Sequence, residues 1–261
     1  MRAMYIGTTG MQAQQLNVEV TANNIANIST TGFKRSRAEF QDLLYDNMRR
    51  VGSPTSDTGT LLPSGLQVGM GVKPVATYRI HEPGVINQTQ GAYDVAINGR
   101  GFLQIQMPDG TISYTRDGSL QTNENGELVT LDGFLISPNI TVPEDAIEVT
   151  ISRSGEVLAR IDGQTALQSL GQIQLASFIN PAGLEAIGDN MFRETDASGT
   201  PIVGDPQSQG FGYLMQGALE ASNVNVVSEI TTLITAQRAY EMNARVITAG
   251  DEMMTTISQL R

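Results

Sequence analysis

Apolar residues recur at every seventh position at both ends of this chain. Met4, Met11, Val18 and Ile25 do so near the start, with Leu16, Ala22 and Ile28 widening the stripe. Val226, Leu233, Tyr240, Ile247 and Met254 do so near the finish. A seven-residue apolar period keeps one seam of a helix turned toward a partner. The spacing therefore predicts a helix over residues 1–31 and a longer one over 222–261, each in need of a second surface. In the second helix Ile230 and Ala244 mark another seam, interrupted by Gln237, Asp251 and Ser258. Met253, Ile257 and Leu260 add a stripe near its end, and Gly32 is a stop signal for the first helix.

The polar residues of the first helix are unlike those of a solvated face. Asn23, Asn24 and Asn27 are amides, which both donate and accept, where Lys and Glu would be usual. Charge follows the same division. Residues 1–30 carry only Arg2 and Glu19, whereas residues 51–221 hold most of the acidity behind the net charge of -11. Uncharged amphipathic ends around an acidic middle suggest ends that become covered. The acidity also makes nucleic acid a poor partner, because phosphate binding needs a basic footprint. One stretch, "GFKRSRAEF", gathers Lys34, Arg35 and Arg37. It reads as a solvated turn, or as a small basic patch that meets the acidic middle of a neighbouring copy.

The middle has another character. Asp109-Gly110, Asp117-Gly118, Asn125-Gly126, Asp132-Gly133 and Asp162-Gly163 punctuate short runs rich in Val, Ile, Leu, Thr and Tyr. Such dipeptides supply the positive φ of tight hairpins. "YDVAINGRGFLQIQ", "GTISYTRDGSLQT", "GELVTLDGFLI" and "AIEVTISRSGEVLARI" are the strand candidates. The expected fold class is α+β: paired coiled-coil-like terminal helices, an irregular connector over 32–83 and 205–221, and a central antiparallel β domain over 84–204. With aromatics at 5% and no Trp, its core is expected to be thin or divided. An ordinary α+β monomer, with both end helices laid over a sheet, satisfies the same pattern.

Little in the chain points to chemistry. Without cysteine there are no disulfides, thiolate metal sites or Cys nucleophiles. The only histidine is His81, in "YRIHEPG", which reads as a packing or surface residue. "GLQVGMGV" and "NGRGF" fit neither a P-loop nor a dinucleotide fingerprint. "DGSLQTNENGE" lacks the alternating acids of a calcium loop and reads as hairpin turns. The reading is thus no catalytic residue, no metal and no cofactor. A carboxylate hydrolase or a monomeric β binding module remain as competing classes. No apolar run is long enough to cross a membrane, and Thr8, Thr9, Gln12, Gln14 and Gln15 interrupt any signal-peptide core, so export without a cleaved signal is the expected alternative to a cytoplasmic protein.

Taken together, the ends are specific. "TANNIANISTTGFKRSRAEFQDLLY" and "GALEASNVNVVSEITTLITAQRAYEMNARVITAGDEMMTTISQLR" resemble the terminal signatures of the bacterial flagellar rod and hook axial proteins. "DVAINGRGFLQI" and "YTRDGSLQTNENGELVT" are similar to that family's β-domain motifs. Modest length and an insert over about 46–65 resemble one rod-type branch more than the hook or proximal rod subunits.

The resemblance implies a structural subunit whose terminal helices form the inner tube of a helical homopolymer, a hollow drive shaft in the basal body spanning the periplasm. It implies proximal rod proteins, hook protein, surrounding ring proteins and the flagellar type III export apparatus as partners, with no nucleic acid and no membrane insertion. The inner-helix interface would then use Met4, Met11, Val18, Asn23, Asn24, Ile25, Asn27, Val226, Ile230, Leu233, Tyr240, Ile247 and Met254. A second interface, from connector and insert, would use Gly32, Phe33, Lys34, Arg35, Arg37, Arg49, Arg50, Pro54, Leu61, Leu62 and Pro63. On this reading the asparagine face is satisfied by neighbouring subunits and a wet channel.

Overall fold

A computed structural model describes residues 2–49, 64–163 and 166–259. The described chain divides into two units. The first holds residues 2–25, 36–49, 64–78 and 226–259. Its elements are helix α1 (Arg2–Ala26), strands β1 (Ser36–Asp42), β2 (Tyr45–Arg49), β3 (Leu66–Gly69) and β4 (Val72–Arg79), and helix α2 (Val226–Gln259). Strand β1 pairs with β4, and β2 pairs antiparallel with β3 in the register Asp46 to Val68. The stretch read as an irregular connector therefore carries strands. Its exposed apolar residues Tyr45, Met48, Leu66 and Val75 sit among polar ones, so no clean alternation marks them. No helix among the described residues is long and apolar enough to cross a membrane.

The second unit, residues 26–35 and 79–225, contains the main core. Its strands are β5 (Ile86–Gln88), β6 (Val95–Asn98), β7 (Phe102–Gln106), β8 (Ile112–Thr115), β9 (Leu120–Thr122), β10 (Leu128–Thr130), β11 (Leu135–Ser137), β12 (Ala146–Ile151), β13 (Glu156–Ile161), β14 (Gln168–Gln172), β15 (Leu175–Ser177), β16 (Glu185–Gly188), β17 (Met191–Arg193), β18 (Ile202–Gly204), β19 (Tyr213–Gln216) and β20 (Ala218–Glu220). The largest sheet runs β16-β17-β8-β7-β11-β10-β9, with β15 also on β7 and β18 on β15. Strands β12, β13 and β14 form a second sheet, while β19 joins β6 and β20 joins β5. Residues 205–221, also read as connector, thus return two strands to this unit.

Hairpin chemistry explains most of the turns: Gly110, Gly126, Gly133 and Gly163 all have positive φ. Gly118 differs. Its backbone is not left-handed, and a Cβ there would stand 1.7 Å from the Val95 carbonyl oxygen. Close approach, not turn geometry, selects that glycine. The core is divided, in an aliphatic cluster that includes Leu103, Leu128, Val157 and Leu175 and an aromatic one of Phe102, Tyr114, Phe178 and Phe192 with Ala176 and Leu184. His81 stacks edge-on against both Phe102 and Phe192.

Charged side chains are buried in the same unit. Glu220 accepts from Lys34 Nζ at 2.6 Å and from the Gly84 amide at 2.8 Å, and its other oxygen pairs with Arg116 at 3.3 Å. Lys34 also donates to the Glu82 carbonyl, Arg116 to the Gly99 carbonyl, and the Gly32 amide to the Glu220 carbonyl. Burial pushes both Lys34 and Arg116 below their usual ranges, and Glu220 pulls each back. One carboxylate between two cations leaves an excess positive charge, so the carboxylate is the member that cannot be spared. Glu220→Gln should cost about 3–5 kcal/mol. Lys34→Met leaves the Arg116–Glu220 pair neutral and the Glu82 carbonyl still bonded to Asn223, and should cost about 1–3 kcal/mol for the hydrogen bonds that Lys34 gives Glu220 and Glu82. Urea unfolding of both variants checks this; the reverse order would refute the account.

A second expectation concerns acid. Desolvation, with Arg116, Lys34 and Arg79 nearby, pulls His81 from 6.5 down to about 4. The unfolded chain takes up that proton below 6.5, and the fold resists until about 4. In that window the unfolded state binds more protons, so stability falls as pH falls, and the loss levels off below it. His81→Phe should flatten this limb of a stability–pH curve; an unchanged limb would show that other groups dominate it.

Candidate functional site

The terminal helices pack antiparallel within the first unit. Met4 lies by Gly250, Gly7 by Ile247 and Asn243, and Gly10 by Asn243. Near the other end Asn24 Nδ2 donates to Glu229 Oε2 at 3.2 Å. The close approach explains why glycine sits inside α1, where it costs about 0.5–1 kcal/mol relative to alanine. A Cβ on Gly7 would stand 2.9 Å from Ile247 Cγ1, and one on Gly10 2.8 Å from Asn243 Nδ2.

The row of α2 facing α1 combines Leu233 and Ile247 with Glu229, Ala236, Asn243 and Gly250. Apolar counting finds the first two. It misses the other four, because small and polar residues fill that second row; their own seven-residue spacing is the signal that would have found it. Of the residues assigned to the inner interface, Met4, Met11, Val18, Ile25, Leu233 and Ile247 are half-buried. Val226, Ile230, Tyr240 and Met254 are exposed. Ile230 thus lies outside the α1-facing row.

The asparagines separate. Asn24 is buried, donates to the Ser36 carbonyl at 2.9 Å and accepts from the Ser36 amide at 2.8 Å. It is a pin inside the chain, bonded to Ser36 and Glu229. Asn27 accepts from the Thr30 hydroxyl, and Asn23 is exposed. Gly32, Phe33 and Lys34 are buried as well. Within the second unit Gly32 and Lys34 bond to Glu220, and Phe33 accepts from the Asn223 amide. Arg35 is half-buried, with its amide on Asn223 Oδ1. Arg37, paired with Glu39, and Arg49 are exposed. Arg50, Pro54, Leu61, Leu62 and Pro63 lie outside the described residues.

What the helix pair leaves open is its main feature. Among its described residues the only buried apolar side chains are those of Ala13 and Ala236. Tyr5, Val227, Met242, Met253 and Ile257 are each more than half exposed. On α2 the exposed apolar residues change sides. Val227, Ile230 and Ile234 lie on one flank of the α1-facing row, and Met242, Val246 and Met253 on the other. Two such flanks can each cover something different.

Comparison with known proteins gives three family matches along the chain. Residues 4–34 match the flagella basal body rod protein family, 96–159 the flagellar hook protein FlgE/F/G D1 domain, and 215–260 the flagellar basal body rod FlgEFG protein C-terminal family. A flagellar basal-body rod protein FlgG from Caulobacter vibrioides is 54% identical over 261 residues, covering 100% of both chains. The FlgG of Agrobacterium fabrum is 51% identical over 99% of each chain. That of Bacillus subtilis is 35% identical over 100% of this chain and 99% of its own.

Overpacking one of these close helix contacts tests the pairing. Gly7→Val should cost about 1–3 kcal/mol and lower the melting temperature of the helical signal in circular dichroism. Unchanged melting would mean the helices do not approach as closely as Gly7 requires.

Proposed function

Because the chain belongs to the flagellar family of basal-body rod and hook proteins, we propose that it is the distal rod subunit, polymerising head to tail into a rigid hollow shaft that carries torque from motor to hook. One observation carries the polymer reading: a helix pair whose only buried apolar side chains, among the described residues, are Ala13 and Ala236, while large apolar side chains are left in water on both flanks. Burial is worth roughly 25 cal/mol per Å² of apolar surface, so those flanks are driven to find cover. A contact between unlike flanks does not close on itself and generates a filament.

On this reading the outer partners are proximal rod proteins, hook protein and the surrounding rings. The subunit reaches the growing tip through the type III export apparatus without a cleaved signal. The terminal helices form the inner tube and order fully on docking, since lone helices with uncovered seams are marginal in water. The insert, whose described ends are strands β2 and β3, bridges neighbouring subunits and stops them sliding.

Deleting the gene in its host and imaging isolated basal bodies by electron microscopy tests the role. A truncated rod without hook and outer rings is expected. A complete rod lacking only the hook would move the protein one step outward, and an intact flagellum would refute the reading. Replacing residues 50–63 with Asn-Gly, which keeps the β2–β3 pairing closed by a short turn, should give a polymer that bends. A straight, unaltered rod would remove the bridging role.

A further inference from the structure

Beside the helix seam, α1 and α2 frame an open groove of about 720 Å³ lined by Gln15, Val18, Glu19, Gln237, Tyr240 and Glu241. Val18 and Tyr240 give it an apolar floor, and carboxylates stand on both walls. Gln15 donates to Glu19 at 3.0 Å. Neither Glu19 nor Glu241 takes part in any of the ion pairs among the described residues, and neither do Arg238 and Arg245, which project from another face of α2. Those arginines bracket Met242 at positions i, i+4 and i+7, so the three form one ridge. The chain thus carries an acid-walled groove and a separate basic, apolar-centred ridge, neither of them ion-paired among the described residues.

From this pairing we infer that the groove seats the Arg238–Met242–Arg245 ridge of a second copy of the chain. The inference rests on the polymer reading above and deepens it by naming the contact. The register supports it. Asn24 meets Glu229 and Gly10 meets Asn243, so Glu19 stands level with Ile234 on the antiparallel helix. Ile234 is seven residues from Glu241, roughly 10 Å along the axis. Arg238 and Arg245 are also seven residues apart. A neighbouring α2 lying parallel and displaced by four residues, about 6 Å, sets Arg238 opposite Glu19 and Arg245 opposite Glu241. Met242 then falls between them, over Val18 and Tyr240. Like charges meet in the unshifted arrangement of ridge on ridge, so the charges select the displaced register as well as the partner.

The test is a charge exchange in the full-length chain, expressed in a host lacking its own copy. Arg238→Glu and Glu19→Arg, each alone, should reduce rods in isolated basal bodies by roughly tenfold or more, because the lost pair recurs at every contact. Together they should restore assembly. The natural absence of cysteine permits a second readout: Val18→Cys with Met242→Cys, treated with a short thiol cross-linker, should give a ladder of multimers. Single reversals that assemble normally, or a double variant no better than either single one, would overturn this docking while leaving the rod reading intact. Cross-linking that stops at the monomer would do the same. An intact rod in the gene-deletion strain would instead remove the rod reading, and this inference with it.

Discussion

The carboxylate of Glu220 holds together segments that are distant in sequence. It lies against Lys34, Gly84 and Arg116, and its own carbonyl takes the Gly32 amide. A buried charge has few stable arrangements, so each partner is fixed in position by the need to satisfy it. Asn223 repeats the arrangement without charge, reaching the Arg35 amide and the carbonyls of Ile80 and Glu82. Residues just after α1 and just before α2 are thereby tied into one unit.

Beyond those anchors the balance of burial reverses. The second unit buries two apolar clusters and closes its sheets around them. The helix pair in the first unit is held by glycine contacts, one amide–carboxylate bond and half-buried aliphatics. A protein that polymerises needs both kinds of unit. One must persist alone, and the other must gain enough on association to drive it. On the polymer reading, the exposed flanks of α2 assign association to the helix pair.

Much of this was legible in the sequence. The helices followed from a seven-residue period, and the hairpins at Gly110, Gly126, Gly133 and Gly163 from their dipeptides. The α2 positions Leu233 and Ile247 followed from the same period. Other features were hidden for physical reasons. Lys34 sits in a basic run that resembles a solvated turn, and partners remote in sequence, the Glu220 carboxylate and the Glu82 carbonyl, make its burial tolerable. Asn24 resembles Asn23, yet one is buried and the other is exposed, and Ser36 and Glu229 converge on Asn24 from distant positions. Strands β1 to β4 were missed because their apolar residues are exposed and irregularly spaced. Patterns of hydrophobicity report what a segment buries against itself or its neighbours. They do not report which polar groups will meet across the fold.

The glycines of α1 have a mechanical consequence. Where Gly7 and Gly10 face Ile247 and Asn243, no pair of long side chains separates the two helices. Most helix contacts have such a layer, whose rotamers yield a little under load before the backbones feel it. Here backbone presses almost directly on a branched side chain, so the joint has little compliance. In a shaft under twist, strain that cannot be absorbed inside each subunit is passed on to the next.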